Sequence, residues 1–393
     1  MKLIKYFIKY TPAVYNMYFY GVSILVRLLG FFVKTDPKII LFNSFGGRKY
    51  DDSPRAIFEK MIEDRRFDKY TFVWALDTPE NFDIPKRAKV VKDYTLKFFI
   101  YALKAKVWIT NSSMEHGLCF KKKSTIYINT WHGSAIKHLG KDIKKEGSSF
   151  KGKSTSKKTA FYTQSEFDEY VFKRAFDIDE SIFKRFGLPR NDELVNFNEE
   201  NVYKIRQELN IPNGKKVVLY APTFREYSKN ATNQITQEMH IDLKRWDKEM
   251  GDRYILLVRA HYEVAKTLDF TTHNSVIDVS NYPHLNDLMI ISDILISDYS
   301  SIYFDYSILH RPMLCYAYDI DEYTKKRGMY IDIQRELPCT LSRSNDELFD
   351  EINKAFKQYE KMCEKTIAFQ KKYVSEYGHA SEKTCDFLAE ILN

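Results

Sequence analysis

Two doubly wound α/β domains, preceded by a short basic and aromatic segment, are the architecture this sequence predicts. Three observations carry that expectation. A chain of 393 residues is too long for one ordinary core and suits two of about 150–200 residues each. From Pro37 onward, short β-type apolar runs alternate with helical stretches, as parallel sheets with crossover helices require. The polar run Asn191-Asp-Glu-Leu-Val-Asn-Phe-Asn-Glu-Glu then breaks the alternation near residues 192–200. The expected organisation is therefore a leading segment 1–34, a domain 35–195 and a domain 196–393.

The elements follow in order. Ile39–Asn43 is an apolar strand, and Pro54 to Arg66 reads as a helix with Ser53 as its N-cap and Pro54 in its first turn. Thr71–Leu76, Val107–Thr110, Thr125–Asn129 and Ala160–Thr163 read as strands; Leu96–Lys104 and Gln164–Phe176 read as helices. The second half repeats the grammar: a helix over Val202–Leu209, then strands at Lys216–Ala221, Tyr254–Arg259, Ser275–Asp278, Ile294–Ser297 and Met313–Tyr316. From about Asn345 the pattern is helical to the end. Ligands of such sheets bind beyond the carboxyl ends of the strands, and a cleft between two domains is the default site.

Composition narrows the class. An apolar fraction of 44% excludes global disorder. The net charge of +8 fits either a lysine-rich surface or anionic partners such as nucleotide phosphates and acidic lipid. Five cysteines, an odd number and none in a C-x-x-C pair, support neither a disulfide framework nor a structural zinc site, and point to a reducing cytoplasm. Residues 1–34 carry Lys2, Lys5 and Lys9, then an aromatic and aliphatic stretch from Val14 to Val33 that contains Arg27. No small-residue cleavage site follows, and a spanning helix would hold Arg27 mid-segment. Basic residues with large aromatics suit a helix lying in the plane of an anionic membrane surface; a true span and packing on the protein's own surface are the alternatives. The stretch Lys141–Lys158, with seven Lys and four Ser, reads either as a plain solvated loop or as a loop that also attracts phosphates of a lipid acceptor.

Four clusters sit just past strands. Asn129-Thr-Trp-His-Gly places His132 between Trp131 and Gly133 at a strand's carboxyl end, where glycine permits close approach of a ligand. Leu219-Tyr-Ala-Pro-Thr-Phe-Arg offers Thr223 and Arg225, a hydroxyl donor and a guanidinium fork for phosphate oxygens. Leu257-Val-Arg-Ala-His-Tyr adds Arg259 and His261. In Ile294-Leu-Ile-Ser-Asp-Tyr-Ser-Ser-Ile-Tyr-Phe-Asp, Ser300 and Ser301 stand where a helix opens at Ile302, an arrangement that serves either an anion or a plain N-cap. No P-loop, dinucleotide fingerprint, H-E-x-x-H or G-x-S-x-G occurs, and positive charge alone is no nucleic-acid reading surface.

Taken together, these clusters resemble the CDP-glycerol glycerophosphotransferase family of teichoic-acid synthesis. The resemblance runs collinearly over residues 129–328 through Thr130-Trp-His-Gly, Gln164-Ser-Glu-Phe, Gly187-Leu-Pro-Arg-Asn-Asp, Tyr220-Ala-Pro-Thr-Phe-Arg, Arg259-Ala-His-Tyr, Asn286-Asp-Leu, Ser297-Asp-Tyr-Ser-Ser, Phe304-Asp-Tyr, Arg311-Pro, Asp319-Ile-Asp-Glu-Tyr and Arg327-Gly. It implies a GT-B-like fold of two Rossmann-like domains, with His132 and His261 lining the site between an acceptor-side domain and a CDP-donor domain. An acceptor hydroxyl then attacks the phosphorus bearing glycerol and CMP leaves. His132 is the candidate base, since imidazole titrates near neutrality. His261 and Arg259 are candidates to stabilise developing charge, and Thr223, Arg225, Ser300 and Ser301 to cradle the diphosphate. Asp305 orients these groups or binds the donor; Trp131, Gly133 and Asn191 line the acceptor side. The scheme needs neither metal nor cofactor. The implied partners are CDP-glycerol, an undecaprenyl-diphosphate-linked saccharide and the cytoplasmic face of an anionic membrane, with no nucleic acid. The short chain points to the priming member, which adds the first unit. Ribitol-phosphate and capsule transferases, a nucleotide-sugar glycosyltransferase and a non-catalytic membrane-surface protein are the competing expectations.

Overall fold

The computed structural model describes residues 12–143, 156–223, 239–260, 270 and 272–392. The chain divides into two compact units. The first comprises Met1–His132, Lys144–Asp192 and Glu376–Asn393; the second comprises Gly133–Ile143 and Glu193–Ser375.

The first unit is built on a parallel sheet of seven strands in the order β3-β2-β1-β4-β5-β6-β7. These are β1 (Asp36–Asn43), β2 (Thr71–Leu76), β3 (Ala88–Lys92), β4 (Ala105–Thr110), β5 (Ile126–Asn129), β6 (Ala160–Tyr162) and β7 (Phe183–Lys184). Burial on both faces explains why β1 reads as a continuous apolar run. Ile40 and Phe42 point to one side and join Phe58, Trp74 and Leu388; Ile39 and Leu41 point to the other and join Val73, Phe98 and Val26. β3 has no counterpart among the sequence-based strands, because Ala-Lys-Val-Val-Lys at a sheet edge buries Val91 alone.

The second unit carries a six-stranded parallel sheet in the order β10-β9-β8-β11-β12-β13. Its strands are β8 (Lys216–Tyr220), β9 (Tyr254–Val258), β10 (Val276–Asp278), β11 (Ile294–Ser297), β12 (Met313–Tyr316) and β13 (Leu341–Ser342). Strand order reverses between β1 and β4 in one sheet and between β8 and β11 in the other. These are the switch points outside which ligands of doubly wound sheets bind.

The expected C-terminal domain 196–393 is corrected at its end: residues Glu376–Asn393 belong to the first unit. The helix Ala380–Leu392 places Cys385 and Leu388 in the core under β1 and β4. Asp192 also accepts hydrogen bonds from the N–H groups of Ala380 (2.9 Å) and Ser381 (2.7 Å), where a helix start leaves donors unpaired. Conversely, residues 133–143 join the second unit through backbone bonds from Tyr330 N–H to the Ile136 carbonyl (2.8 Å) and from His138 N–H to the Gly328 carbonyl (3.2 Å). Ser53 is not the N-cap expected of it. The helix runs Asp52–Glu63 with Asp51 as cap, and Asp52 sits at a left-handed φ of 63°.

The leading segment forms a helix over Pro12–Phe32. One stripe, Tyr18, Val22, Val26, Leu29 and Val33, packs on the first unit's core at i, i+4, i+8, i+11 and i+15. The same side is pinned by polar bonds: Cys119 N–H donates to Ser23 Oγ (3.0 Å), and Arg27 Nε donates to the Cys119 carbonyl (2.7 Å). The other stripe is bare, with Met17, Tyr20, Ile24, Leu25, Leu28, Phe31 and Phe32 all exposed. Residues Val14–Phe32 are long and apolar enough to cross a membrane by length and composition.

Candidate active site

The first unit's switch point is crossed by hydrogen bonds. β1 ends at Asn43 and runs into Ser44-Phe45-Gly46-Gly47; β4 ends at Thr110 and runs into Asn111. Phe45 N–H donates to Asn111 Oδ1 at 2.7 Å, and Asn111 is fully buried. From neighbouring β5 the chain turns sharply at Trp131, φ 52°, whose N–H is held by Asn129 Oδ1 at 2.8 Å, and reaches Gly133 at φ 140°. That turn brings the His132 ring over the β4 exit, with Nδ1 2.8 Å from the Asn111 carbonyl.

A carbonyl only accepts, so this contact fixes the proton on Nδ1 and leaves the Nε2 lone pair unprotonated. Trp131 stacks on the imidazole at 4.2 Å and is backed by Phe161, Phe172 and Phe176; Phe45 approaches the imidazole at 5.9 Å. Burial pushes the His132 pKa below the usual histidine value, assisted by the nearby Arg190 and Arg48 cations and opposed by the Asn111 bond and Asp52. The imidazole is thereby neutral at neutral pH and oriented through one nitrogen, the state a general base requires.

Two residues that the sequence reading did not single out hold this turn. Arg190 Nη1 bridges Asp52 Oδ2 (2.7 Å) and the His132 carbonyl (2.8 Å). Asn191, expected to line the site, is fully buried; its Nδ2 donates to Gln164 Oε1 at 3.3 Å. It thus ties Gly187-Leu-Pro-Arg-Asn-Asp to Gln164-Ser-Glu-Phe, while its neighbour Arg190 reaches His132. The signal for Arg190 was present, an arginine inside a quoted motif. The signal for Asp52 and Asn111 was not, because neither stands in a run that marks chemistry.

At the second unit's switch point, Asp298 is buried and ties two strand exits: its Oδ1 accepts from Thr223 N–H (2.9 Å) beyond β8 and from Tyr299 N–H (2.6 Å) beyond β11. Ser297 Oγ adds a bond to the Ala221 carbonyl at 2.6 Å. The structure thus brings Thr223 and the Ser300-Ser301 pair to one end of one sheet. Both serines are partly exposed; Ser301 precedes the helix Ile302–Ser307 without a side-chain cap bond, and Ser300 Oγ accepts from Ile302 N–H at 3.3 Å. Tyr299 stacks on Tyr323 at 3.8 Å and donates to Asp319 Oδ1 at 2.8 Å, so Asp319-Ile-Asp-Glu-Tyr folds against this strand exit. Arg259 caps β9 with Nη1 donating to the carbonyls of Tyr282 (2.8 Å) and Val279 (3.3 Å), which shapes the loop after β10. Asp305 is buried within its helix. Arg225 and His261 lie outside the described residues, as does most of the lysine-rich stretch.

Two doubly wound parallel sheets, with a buried, hydrogen-bonded imidazole at one switch point and hydroxyl-bearing strand exits at the other, place the chain among doubly wound α/β enzymes. Its family follows from comparison: the profile of the CDP-Glycerol:Poly(glycerophosphate) glycerophosphotransferases matches residues 25–390, and the chain belongs to that family. It is 36% identical to a teichoic acid poly(glycerol phosphate) polymerase of Staphylococcus epidermidis, over 90% of this chain and half of that protein. It is 31% identical to the polymerase of the same name from Bacillus spizizenii, over 98% of this chain and 99% of the relative. A teichoic acid glycerol-phosphate primase of Bacillus subtilis is 30% identical over 96% and 98% of the two chains. Among solved structures, a histidine-to-asparagine variant of the wall teichoic acid polymerase TagF superposes with a TM-score of 0.86 at 34% identity, covering 94% of this chain and 92% of that one. The UDP-GlcNAc 2-epimerase of Neisseria meningitidis shares the fold alone, with a TM-score of 0.54 at 11% identity over 90% and 99% of the two chains. The expected GT-B-like class of two Rossmann-like sheets holds. The inference from length does not: a polymerase matched over 99% of its own length is as short as this chain.

Proposed function

We propose that this chain transfers glycerol phosphate from CDP-glycerol to a hydroxyl of a lipid-diphosphate-linked acceptor in teichoic-acid synthesis, releasing CMP. The observation that carries the reading is the His132 tautomer lock, Nδ1–H to the Asn111 carbonyl at 2.8 Å. His132 Nε2 takes the proton of the acceptor hydroxyl as its oxygen attacks the phosphorus bearing glycerol. The bond from that phosphorus to the bridging oxygen breaks, and the electron pair leaves on the phosphate of CMP. Thr223, Ser300 and Ser301, gathered by Asp298, bind the diphosphate as donors, and Arg225, Arg259 and His261 offset the charge that develops on CMP. Support comes from family membership and from a TagF variant solved after soaking with CDPG, 33% identical to this chain.

The helix Pro12–Phe32 supports a peripheral attachment. Its docked stripe and the Ser23 and Arg27 bonds hold it against the first unit, while the bare stripe presents seven large apolar side chains. Burying such side chains gains about 1 kcal/mol or more each, so a membrane surface is a natural cover.

Release of CMP from CDP-glycerol, CDP-ribitol and UDP-sugars, each with a lipid-linked acceptor, tests the reading. CDP-glycerol should be the preferred donor, and His132→Ala and His261→Ala should each abolish turnover in a folded protein. Turnover with UDP-sugars alone would reject the reaction; normal turnover in either variant would remove that residue from it.

A further inference from the structure

We propose that the loop Phe45-Gly46-Gly47-Arg48-Lys49, at the carboxyl end of β1, binds a phosphate group of the acceptor beside His132. The inference rests on the glycerophosphotransferase reading and names how the acceptor is held.

The loop is shaped for close approach. Phe45, Gly46 and Gly47 are consecutive left-handed residues at φ 49°, 65° and 81°. A side chain at Gly46 would meet the His116 ring at 3.2 Å, and one at Gly47 would meet Asp93 Oδ2 at 2.6 Å, so the buried Asp93 and the His116 ring, whose Nε2 lies 2.8 Å from Asp93 Oδ2, form a floor that only glycine fits. The ends are fastened: Gly47 N–H donates to the Ser44 carbonyl (3.0 Å), Asp77 N–H to the Gly47 carbonyl (2.8 Å) and Phe45 N–H to Asn111 Oδ1 (2.7 Å).

What is left over suits an anion. Among the described residues, the backbone N–H groups of Gly46 and Arg48 meet no acceptor, and neither the Arg48 nor the Lys49 side chain pairs with a carboxylate. Both side chains are exposed, and Lys49 Nζ lies 5.9 Å from the Phe45 ring, whose other neighbour is the His132 imidazole at 5.9 Å. Asn111 supplies an independent sign. It is fully buried, its Oδ1 is committed to Phe45 N–H, and its Nδ2 donor meets no acceptor. Backbone donors in left-handed turns beside two cations are the standard construction of a phosphate cradle, and this one lies at a switch point. Under the proposed function the donor diphosphate is bound by Thr223, Ser300 and Ser301, so a second anion held at this loop belongs to the molecule that carries the attacking hydroxyl. That anion is either the diphosphate joining the lipid to its saccharide or a phosphodiester already added; both present phosphate oxygens.

The test uses the full chain and Arg48→Ala, Lys49→Ala and Arg48→Lys variants, with three acceptors. One is a short-chain prenyl-diphosphate disaccharide, the second the same disaccharide on a neutral linker, the third the neutral-linker compound bearing one glycerol phosphate. Loss of one charge-assisted contact should raise the acceptor KM about tenfold for each alanine variant, with the CDP-glycerol KM unmoved and Arg48→Lys close to wild type. A penalty on the first acceptor assigns the loop to the lipid diphosphate; one on the third assigns it to the phosphodiester; the second should show none. An equal penalty on the phosphate-free acceptor, no penalty on any, or a rise in donor KM instead would overturn the inference. Equilibrium binding of the prenyl-diphosphate disaccharide without donor separates this from failure of the reaction itself. If the wild type releases no CMP yet binds that acceptor about tenfold more tightly than Arg48→Ala, the loop stands and the reaction falls; equal binding by the two overturns the loop.

Discussion

Arg190→Gln tests whether His132, the proposed base, is held by its neighbours as the geometry requires. Arg190 is 15% exposed and Asp52 6%, and one Nη1 serves both the Asp52 carboxylate and the His132 carbonyl. Removing one partner of a buried pair leaves a desolvated charge, at a cost of 3–5 kcal/mol for full burial; the solvent edge of Arg190 places this pair at about 3 kcal/mol. That is a fall of about 150-fold in the folding equilibrium at 1.36 kcal/mol per tenfold. Catalysis should fall separately. The 131–133 turn loses its anchor, and a displacement of the base by about 1 Å costs about 100-fold in kcat. The pH profile supplies a third reading. Arg190 depresses the His132 pKa and Asp52 elevates it, so loss of the cation with the anion left unpaired moves the acid limb of kcat/KM to higher pH. Denaturant melts and pH-dependent CMP release on the purified variant measure all three, and Asp52→Asn added to Arg190→Gln should recover part of the stability by removing the stranded charge. An unmoved acid limb with kcat within twofold of wild type would make Arg190 a purely structural residue and refute its role in setting the base.

Other outcomes follow from the same contacts. Because His132 is neutral when folded at pH values where the unfolded imidazole begins to protonate, the wild type should lose stability as pH falls from about 6.5 through the lower folded value, and His132→Gln should flatten that slope in urea melts. Asp192→Ala should cost about 2 kcal/mol by leaving the Ala380 and Ser381 N–H groups without their acceptor, and should free the C-terminal helix to proteolysis first. Leu25→Glu with Phe31→Glu, on the bare stripe of the first helix, should reduce sedimentation with anionic vesicles while leaving the melting curve unchanged; undiminished sedimentation would reject that stripe as the attachment.

The strands were legible wherever both faces are buried. β2, β11 and β12 coincide with the runs Thr71–Leu76, Ile294–Ser297 and Met313–Tyr316, because a strand covered on both sides has no polar position to blur its ends. Edge strands were read unevenly: β10 falls within the run Ser275–Asp278, whereas β3, β7 and β13 have no counterpart among the sequence-based strands. The leading helix was half legible. Its apolar content and Arg27 were read as a membrane surface or a packing surface; one stripe packs on the first unit, and the opposite stripe is exposed.

The sequence by itself determined the class of fold and the collinear motifs and offered His132 as a candidate base, because apolar periodicity and residue chemistry are local properties. Tertiary structure decided the surroundings of His132: a carbonyl at Asn111 that holds one ring nitrogen, an aromatic ring stacked on the imidazole, and an arginine 58 residues away that holds its backbone. It also decided that the last helix returns to the first unit. Contacts between residues distant in the chain follow from how a parallel sheet orders its strands, and that order is a property of packing that no local run of residues records.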